Sequence, residues 1–306
     1  MQPGHSGTDA AAALATVLAP GFLRKLDRLH LSVRRSLSTR PGNTPMPRGS
    51  QGSGIEIERH KAYGAGDDLR HLDWALLGRL GRPFLKTYEQ EEDLTVHLLL
   101  DTSRSMSFGE PPKLLAAARI AAALAHIALG SLDRVGAGLF DGRGLRLHPP
   151  ARGRGALLRL LRFLAAAVAG GGGGMEGPLK LHAAAARPGL TVVLSDFLEP
   201  GFRDALRPHR GRRHSLVLVQ LLAREELEPA LDGDLRLVDA ESGAGLEATV
   251  GPKERARYLA RLEGERRALR DFGLRYGVDV FSLPADLPLE DALWGHLLRG
   301  SFLARA

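Results

Sequence analysis

The chain has no cysteine among its 306 residues, which excludes disulfides and thiolate metal sites together. Aromatic residues make up only 5%. No basic stripe is interleaved with them, so the stacking platform of a single-strand nucleic-acid binder is missing. No run of about 18 uncharged apolar residues occurs. The longest apolar stretch, Leu114 to Gly130, is interrupted by Arg119 and His126. With no basic-then-apolar signal pattern at the N-terminus, these absences predict a cytoplasmic chain without a membrane span. Several catalytic signatures are absent as well. There is no Walker A motif, no HExxH and no G-x-S-x-G, and Gly136-Ala-Gly138 lacks the third glycine of a dinucleotide fingerprint.

What remains is ordinary globular material, 44% hydrophobic and 25% charged, with a net charge of +7. That charge admits an anionic partner, but arginines spread over solvated faces account for it more simply, and nucleic acid is the less favoured partner. Residues 1–20 are small and polar and read as a flexible tail. Phe22, Leu26, Leu29, Val33 and Leu37 recur at helical spacing, predicting an amphipathic helix from Phe22 to Leu37. A Pro/Gly/Ser-rich loop, Thr39 to Gly54, and a dense polar block follow. Segment 21–93 is therefore expected to be a helix and a block that pack on the main domain.

From Leu94 to Leu222, apolar runs of strand length alternate with helical stretches. The runs are Leu94–Leu100, Val135–Phe140, Leu190–Leu194 and Ser215–Leu222. This alternation predicts an α/β fold, a doubly wound, mainly parallel sheet with an N-terminal helix. Residues 94–222 form the predicted main domain. Residues 223–306 are predicted to complete the same fold, with a small β-annex at 235–250, a long Arg-rich helix from Pro252 to Tyr276 and a further strand.

Two constellations carry chemistry. The first is Asp101-Thr-Ser103-Arg-Ser105-Met106, directly after a buried strand. Open α/β sheets bind ligands outside the carboxyl ends of their strands. A carboxylate and two hydroxyls there are hard oxygen donors suited to Mg²⁺, and Asp196 ends another strand where it could face the same crevice. A Ser-rich turn capped by Asp101 is the plainer reading. The second constellation lies upstream: Arg59, Tyr63, Gly66, Asp67, Asp68, Arg70, Asp73 and Trp74. Carboxylates this close to arginines are more often paired structure than catalysts, so no catalytic residue is expected.

The DxSxS arrangement resembles the metal-ion-dependent adhesion site of von Willebrand factor A domains, which are Rossmann-like sheets. Asp101, Ser103, Ser105 and Asp196 match that pattern. Its middle-loop threonine does not: the chain has Gly170 to Gly174, then Met175 and Glu176. Glu176 could substitute as an oxygen ligand. The upstream block, placed just before DxSxSM, closely resembles the bacterial domain-of-unknown-function family 58, with Glu56-Ile57 where Glu-Phe is usual. The resemblance covers at least Gly49 to Asp196. It implies a von Willebrand A-like fold, a divalent cation such as Mg²⁺, and a protein-binding role beside a MoxR-type AAA+ ATPase that assembles or activates other proteins. The rival classes are a metal-dependent phosphodiester hydrolase, using Asp101 and Asp196 with Glu176 as a further candidate, and a basic nucleic-acid-binding protein. Two-metal chemistry needs more carboxylates than these supply.

Overall fold

The chain enters through a short helix, α1 (Pro20–Leu26), and a three-residue strand, β1 (Leu29–Leu31). The structure, a computed structural model, describes residues 19–32, 56–64, 69–90, 94–199, 201–209, 214–239 and 243–305. The helix expected from Phe22 to Leu37 therefore ends at Leu26. Leu29 and Leu31 are two apart, which suits a strand as well as a helix, and β1 pairs antiparallel with a C-terminal strand, Leu31 opposite Leu303. Residues 33–37, the expected loop at 39–54 and nearly all of the expected tail lie outside the described residues.

Two compact units emerge, Ser38–Asp93 and a larger one formed by Met1–Leu37 with Leu94–Ala306. The boundary cuts through the expected 21–93 segment, because α1 and β1 belong to the larger unit. In the smaller one, β2 (Glu56–Ala62) and β3 (Phe84–Gln90) form an antiparallel ribbon, with α2 (Trp74–Leu80) between them in sequence. Asp73 caps α2, its Oδ1 accepting the backbone N–H groups of Ala75 and Leu76, both at 3.0 Å.

The larger unit is built on β4 (Thr95–Asp101), buried at every position. A strand buried on both faces needs a continuous apolar run and helices above and below it. After β4 come α3 (Lys113–Gly130), the hairpin strands β5 (Arg134–Asp141) and β6 (Gly144–Ala151), α4 (Arg154–Ala165), α5 (Glu176–Ala185) and β7 (Gly189–Ser195). Then follow α6 (Phe202–Leu206), β8 (His214–Leu222), α7 (Arg224–Leu227), the ribbon β9 (Gly233–Val238) and β10 (Gly245–Val250), α8 (Pro252–Tyr276) and β11 (Asp279–Pro284). A π-helical segment, Asp291–Leu297, precedes β12 (Leu303–Arg305).

The central sheet has the order β11-β8-β7-β4-β5-β6. All neighbours are parallel except the β5–β6 edge pair. This is the expected doubly wound, mainly parallel sheet, and residues after 222 do supply an edge strand. Pro149 and Pro150 sit in β6, an edge strand where a missing N–H is tolerated. Alternate residues of each strand serve two cores. Leu98, Leu100, Val192 and Val219 face α3 and α4. Leu99, Val193 and Leu218 pack with Leu179 of α5, Phe202 of α6 and Leu269 of α8.

Helix α3 is apolar and long enough to cross a membrane, yet 72% of it is buried within the protein. Its alanines are the reason it fits there. Ala117, Ala121, Ala122, Ala123, Ala125 and Ala128 have no exposed surface, which lets the helix lie close to the sheet. On the opposite layer, His97, His182 and His209 are buried with their rings in sequence, His182 Nδ1 lying 2.9 Å from His209 Nε2. A hydrogen bond between two imidazoles requires one ring to accept, so at least one is neutral.

Close packing of α3 makes overpacking costly. Ala125→Leu is expected to destabilise the protein by about 1–3 kcal/mol, while Leu158→Ala on the exposed face of α4 stays within about 0.5 kcal/mol. Urea denaturation midpoints compare the two directly.

Candidate recognition crevice

The strand order reverses at β4. β5 follows it on one side, and the chain then returns to place β7 on the other. A crevice opens at such a switch point, beyond the carboxyl ends of the strands. Asp101 ends β4, and Ser195 ends β7 with Asp196 next in the chain.

Asp101 is buried, and both of its carboxylate oxygens are engaged. Oδ1 accepts the Ser103 N–H at 2.8 Å, and Oδ2 accepts the Ser195 hydroxyl at 2.6 Å. The second bond stitches β4 to β7 across the switch point. The Ser103 and Ser105 hydroxyls lie 3.1 Å apart. Burial pushes the Asp101 carboxyl up from the ordinary 3.8 to about 6, and the neighbouring Asp196 carboxylate pushes the same way, against the hydrogen bonds from Ser195 and Ser103.

The glycine loop supplies the third wall. Gly170 and Gly171 donate to the Thr102 carbonyl, Arg104 donates to the Gly171 carbonyl at 2.9 Å, and Ser103 pairs with Gly171 as a parallel bridge. The five glycines, which read as a break in the sequence, dock as an ordered segment on the DxSxS turn. A Cβ at Gly171 would fall 1.9 Å from Asp141 Oδ2 and 2.4 Å from Asp141 Cβ, so no side-chain hydroxyl fits at that point. Glu199 holds the far end of the loop, its Oε2 accepting the N–H groups of Gly174 at 2.8 Å and Met175 at 3.2 Å.

Asp196 faces a partner that sequence reasoning missed. Lys113, the first residue of α3, has no exposed surface. Its Nζ donates to Asp196 Oδ2 at 2.8 Å and to Glu226 Oε1 at 2.6 Å. Glu226 in turn caps α7 by accepting the Ala223 N–H at 2.7 Å. Burial alone would lower the Lys113 pKa, but the two carboxylates outweigh it and hold the ammonium charged above its ordinary range. The turn that delivers Lys113 is tight. Gly109 has φ +93°, and a Cβ there would lie 2.6 Å from Ala223 Cβ.

The structure thus gathers Asp101, Ser103, Ser105 and Asp196 and leaves Glu176 outside. Glu176 opens α5 with an exposed carboxylate paired to Lys180. As a divalent-ion site the set is a poor fit. The Asp101 oxygens already accept internal hydrogen bonds, and one Asp196 oxygen is held by a buried ammonium. Among the described residues no group of three His, Cys, Asp or Glu side chains is placed to hold a metal ion. In the smaller unit, Asp73 is a helix cap, Trp74 is 71% exposed, Arg70 is exposed and Tyr63 half-buried. Arg59 lies on β2 opposite Thr87, and Gly66, Asp67 and Asp68 lie outside the described residues.

Residues 59–268 match the family described as "Protein of unknown function DUF58". The chain belongs to this family. Curated relatives include the uncharacterized proteins Rv1480 of Mycobacterium tuberculosis (strain ATCC 25618 / H37Rv) and Mb1516 of Mycobacterium bovis (strain ATCC BAA-935 / AF2122/97). Each is 32% identical over 211 residues, 66% of this chain and 65% of the relative. The chain therefore spans 65% of the length of these curated relatives. Similar solved structures include BatB from Bacteroides thetaiotaomicron, with 16% identity and a TM-score of 0.40, covering 62% of this chain and 90% of that one. Another is the SpRpn10 VWA domain, with 9% identity and a TM-score of 0.39, covering 66% and 94%.

Asp101 predicts a pH dependence. Its folded pKa lies above the unfolded one, so below about pH 4 both states are protonated and ionisation costs nothing. Between about pH 4 and 6 the unfolded state ionises first and stability falls. Above about pH 6 the cost levels off on the order of 3 kcal/mol. Asp101→Asn is expected to flatten this slope. Denaturant titrations of both proteins from acid to neutral pH test it, and parallel slopes would refute it.

Proposed function

We propose that this DUF58 protein is a non-enzymatic binding or adaptor module that recognises a protein partner at the adhesion-type crevice formed by β4, β7 and the glycine loop. One observation supports the reading above all. The DxSxS turn is rigidly held at the switch point while its continuation is presented outward, with Ser105 half-buried, Ser107 exposed and Phe108 48% exposed. A held carboxylate at the base of a turn that exposes an apolar side chain makes a small contact patch, and aromatic side chains that become buried on binding dominate interface energetics. A MoxR-type AAA+ ATPase is the partner class that the sequence resemblance implies, with assembly or activation of other proteins as the joint task. The reading includes a cytoplasmic location, where ATP is available to such a partner.

The test uses the full chain and the MoxR-type ATPase of the same cell, co-purified or measured by titration. Phe108→Asp is expected to weaken binding at least about tenfold while leaving the thermal melt unchanged. Binding unaffected by Phe108→Asp and Ser105→Ala together would remove the crevice from the interface. Phosphodiester turnover that is lost in Asp101→Asn would replace the adaptor reading with an enzymatic one.

A further inference from the structure

Lys113 is the one lysine among the largest fully buried side chains, beside Phe140, Phe197 and Phe302. A charged group with no access to water persists only when its counter-charges are fixed around it. The counter-charges here come from two separate strand ends. Asp196 follows β7 and Glu226 lies on α7 after β8. Lys113 itself begins α3, a position where the positive end of the helix dipole disfavours a cation. A lysine in that place, aimed at the carboxylate that a crevice ion would need, calls for an explanation beyond packing.

We infer that the Lys113 ammonium is the resident cation of the crevice, standing in for a divalent ion so that the fold and its recognition face work without metal. The ammonium satisfies Asp196 Oδ2 at 2.8 Å and reaches Glu226 at 2.6 Å. Its side chain has no exposed surface, and its backbone N–H donates to the Phe108 carbonyl at 3.2 Å. Such a cation cannot exchange with solvent or be removed by a chelator. A divalent ion entering beside it would meet a fixed positive charge and would have to share Asp101 oxygens that already accept from Ser103 and Ser195. Partner contact then rests on hydrogen bonds and on the exposed turn, with no ion bridging to an acidic side chain. The inference rests on the recognition reading for its functional half and on the Lys113 geometry alone for its structural half.

Thermal melts and Mn²⁺ binding, followed by the electron paramagnetic signal of the free ion, separate the two halves. For the wild-type full chain, melting is expected to be the same in excess EDTA as in millimolar Mg²⁺, with no saturable Mn²⁺ site. Lys113→Met leaves the buried Asp196 and the half-buried Glu226 carboxylates uncompensated and is expected to melt roughly 10 °C lower. Lys113→Met with Glu226→Gln is expected to recover part of that loss. A stoichiometric Mn²⁺ site in the wild-type chain that disappears in Asp101→Asn would overturn the inference, and so would a wild-type melt lowered by EDTA. Both wild-type measurements stand even where the Lys113 variants fail to fold. Capture of the ATPase by the wild-type chain is expected to survive EDTA. Capture abolished by EDTA overturns the inference and leaves the crevice reading intact, whereas capture indifferent to Phe108→Asp defeats only the crevice reading.

Discussion

A charge buried at the end of a sheet must be neutralised by groups the fold itself brings there, and Lys113 shows how much of this structure answers that requirement. Its ammonium joins the start of α3 to the segments that leave β7 and β8. Those three segments meet only if β4, β7 and β8 are adjacent and in register, as Leu100 opposite Leu194 and Ser195 opposite Gln220 place them. Gln220 adds a further tie, its Nε2 donating to the Asp196 carbonyl at 2.9 Å. Removing one member of a buried ion pair is far more costly than never having had it. The triad therefore fixes the geometry of the crevice more than it adds net stability.

The glycine loop solves a related problem by the opposite means. Where Lys113 fills space with charge, Gly171 empties it, so that the backbone can lie directly on Asp141 and on the Ser103 turn. The loop's N–H and C=O groups are then spent on Thr102, Arg104 and Gly142. Backbone hydrogen bonds take the place of a side-chain ligand and give a wall that no rotamer change can move. Rigidity on this side and a sealed ammonium on the other leave the exposed turn at Ser107 and Phe108 as the adaptable part.

Much of this was legible in the sequence. Strands β4, β5, β7 and β8 were readable because continuous apolar runs between turn signals have few other uses, and α8 begins and ends where Pro252 and Gly277 place it. The switch-point position of Asp101 followed from the order of those runs. The early helix was misread because Leu29, Leu31 and Val33 fit a period of two as well as a helical one, and only the pairing with β12 decides between them. Lys113 and Glu226 escaped notice for a different reason. A lysine at a helix start is normally solvated, and its partners are 83 and 113 residues away in sequence. The histidine trio was hidden by the same kind of separation.

The family match bears on how the two units belong together. It begins at residue 59, within β2, and runs to 268, within α8. It therefore takes in most of the described part of the smaller unit and the sheet strands β4, β5, β6, β7 and β8, while leaving out α1, β1, β11 and β12. A sheet of this kind is stable only when its outer strands are covered or paired, and those omitted elements are edge and closing pieces. The smaller unit is not one of them. Its ribbon and its Asp73-capped helix have no part in the central sheet, yet they travel inside the matched segment with the crevice. Each unit is thus specified by its own local devices, the smaller by its ribbon and by Asp73 at the start of its helix, the larger by the apolar runs that fill both faces of its sheet.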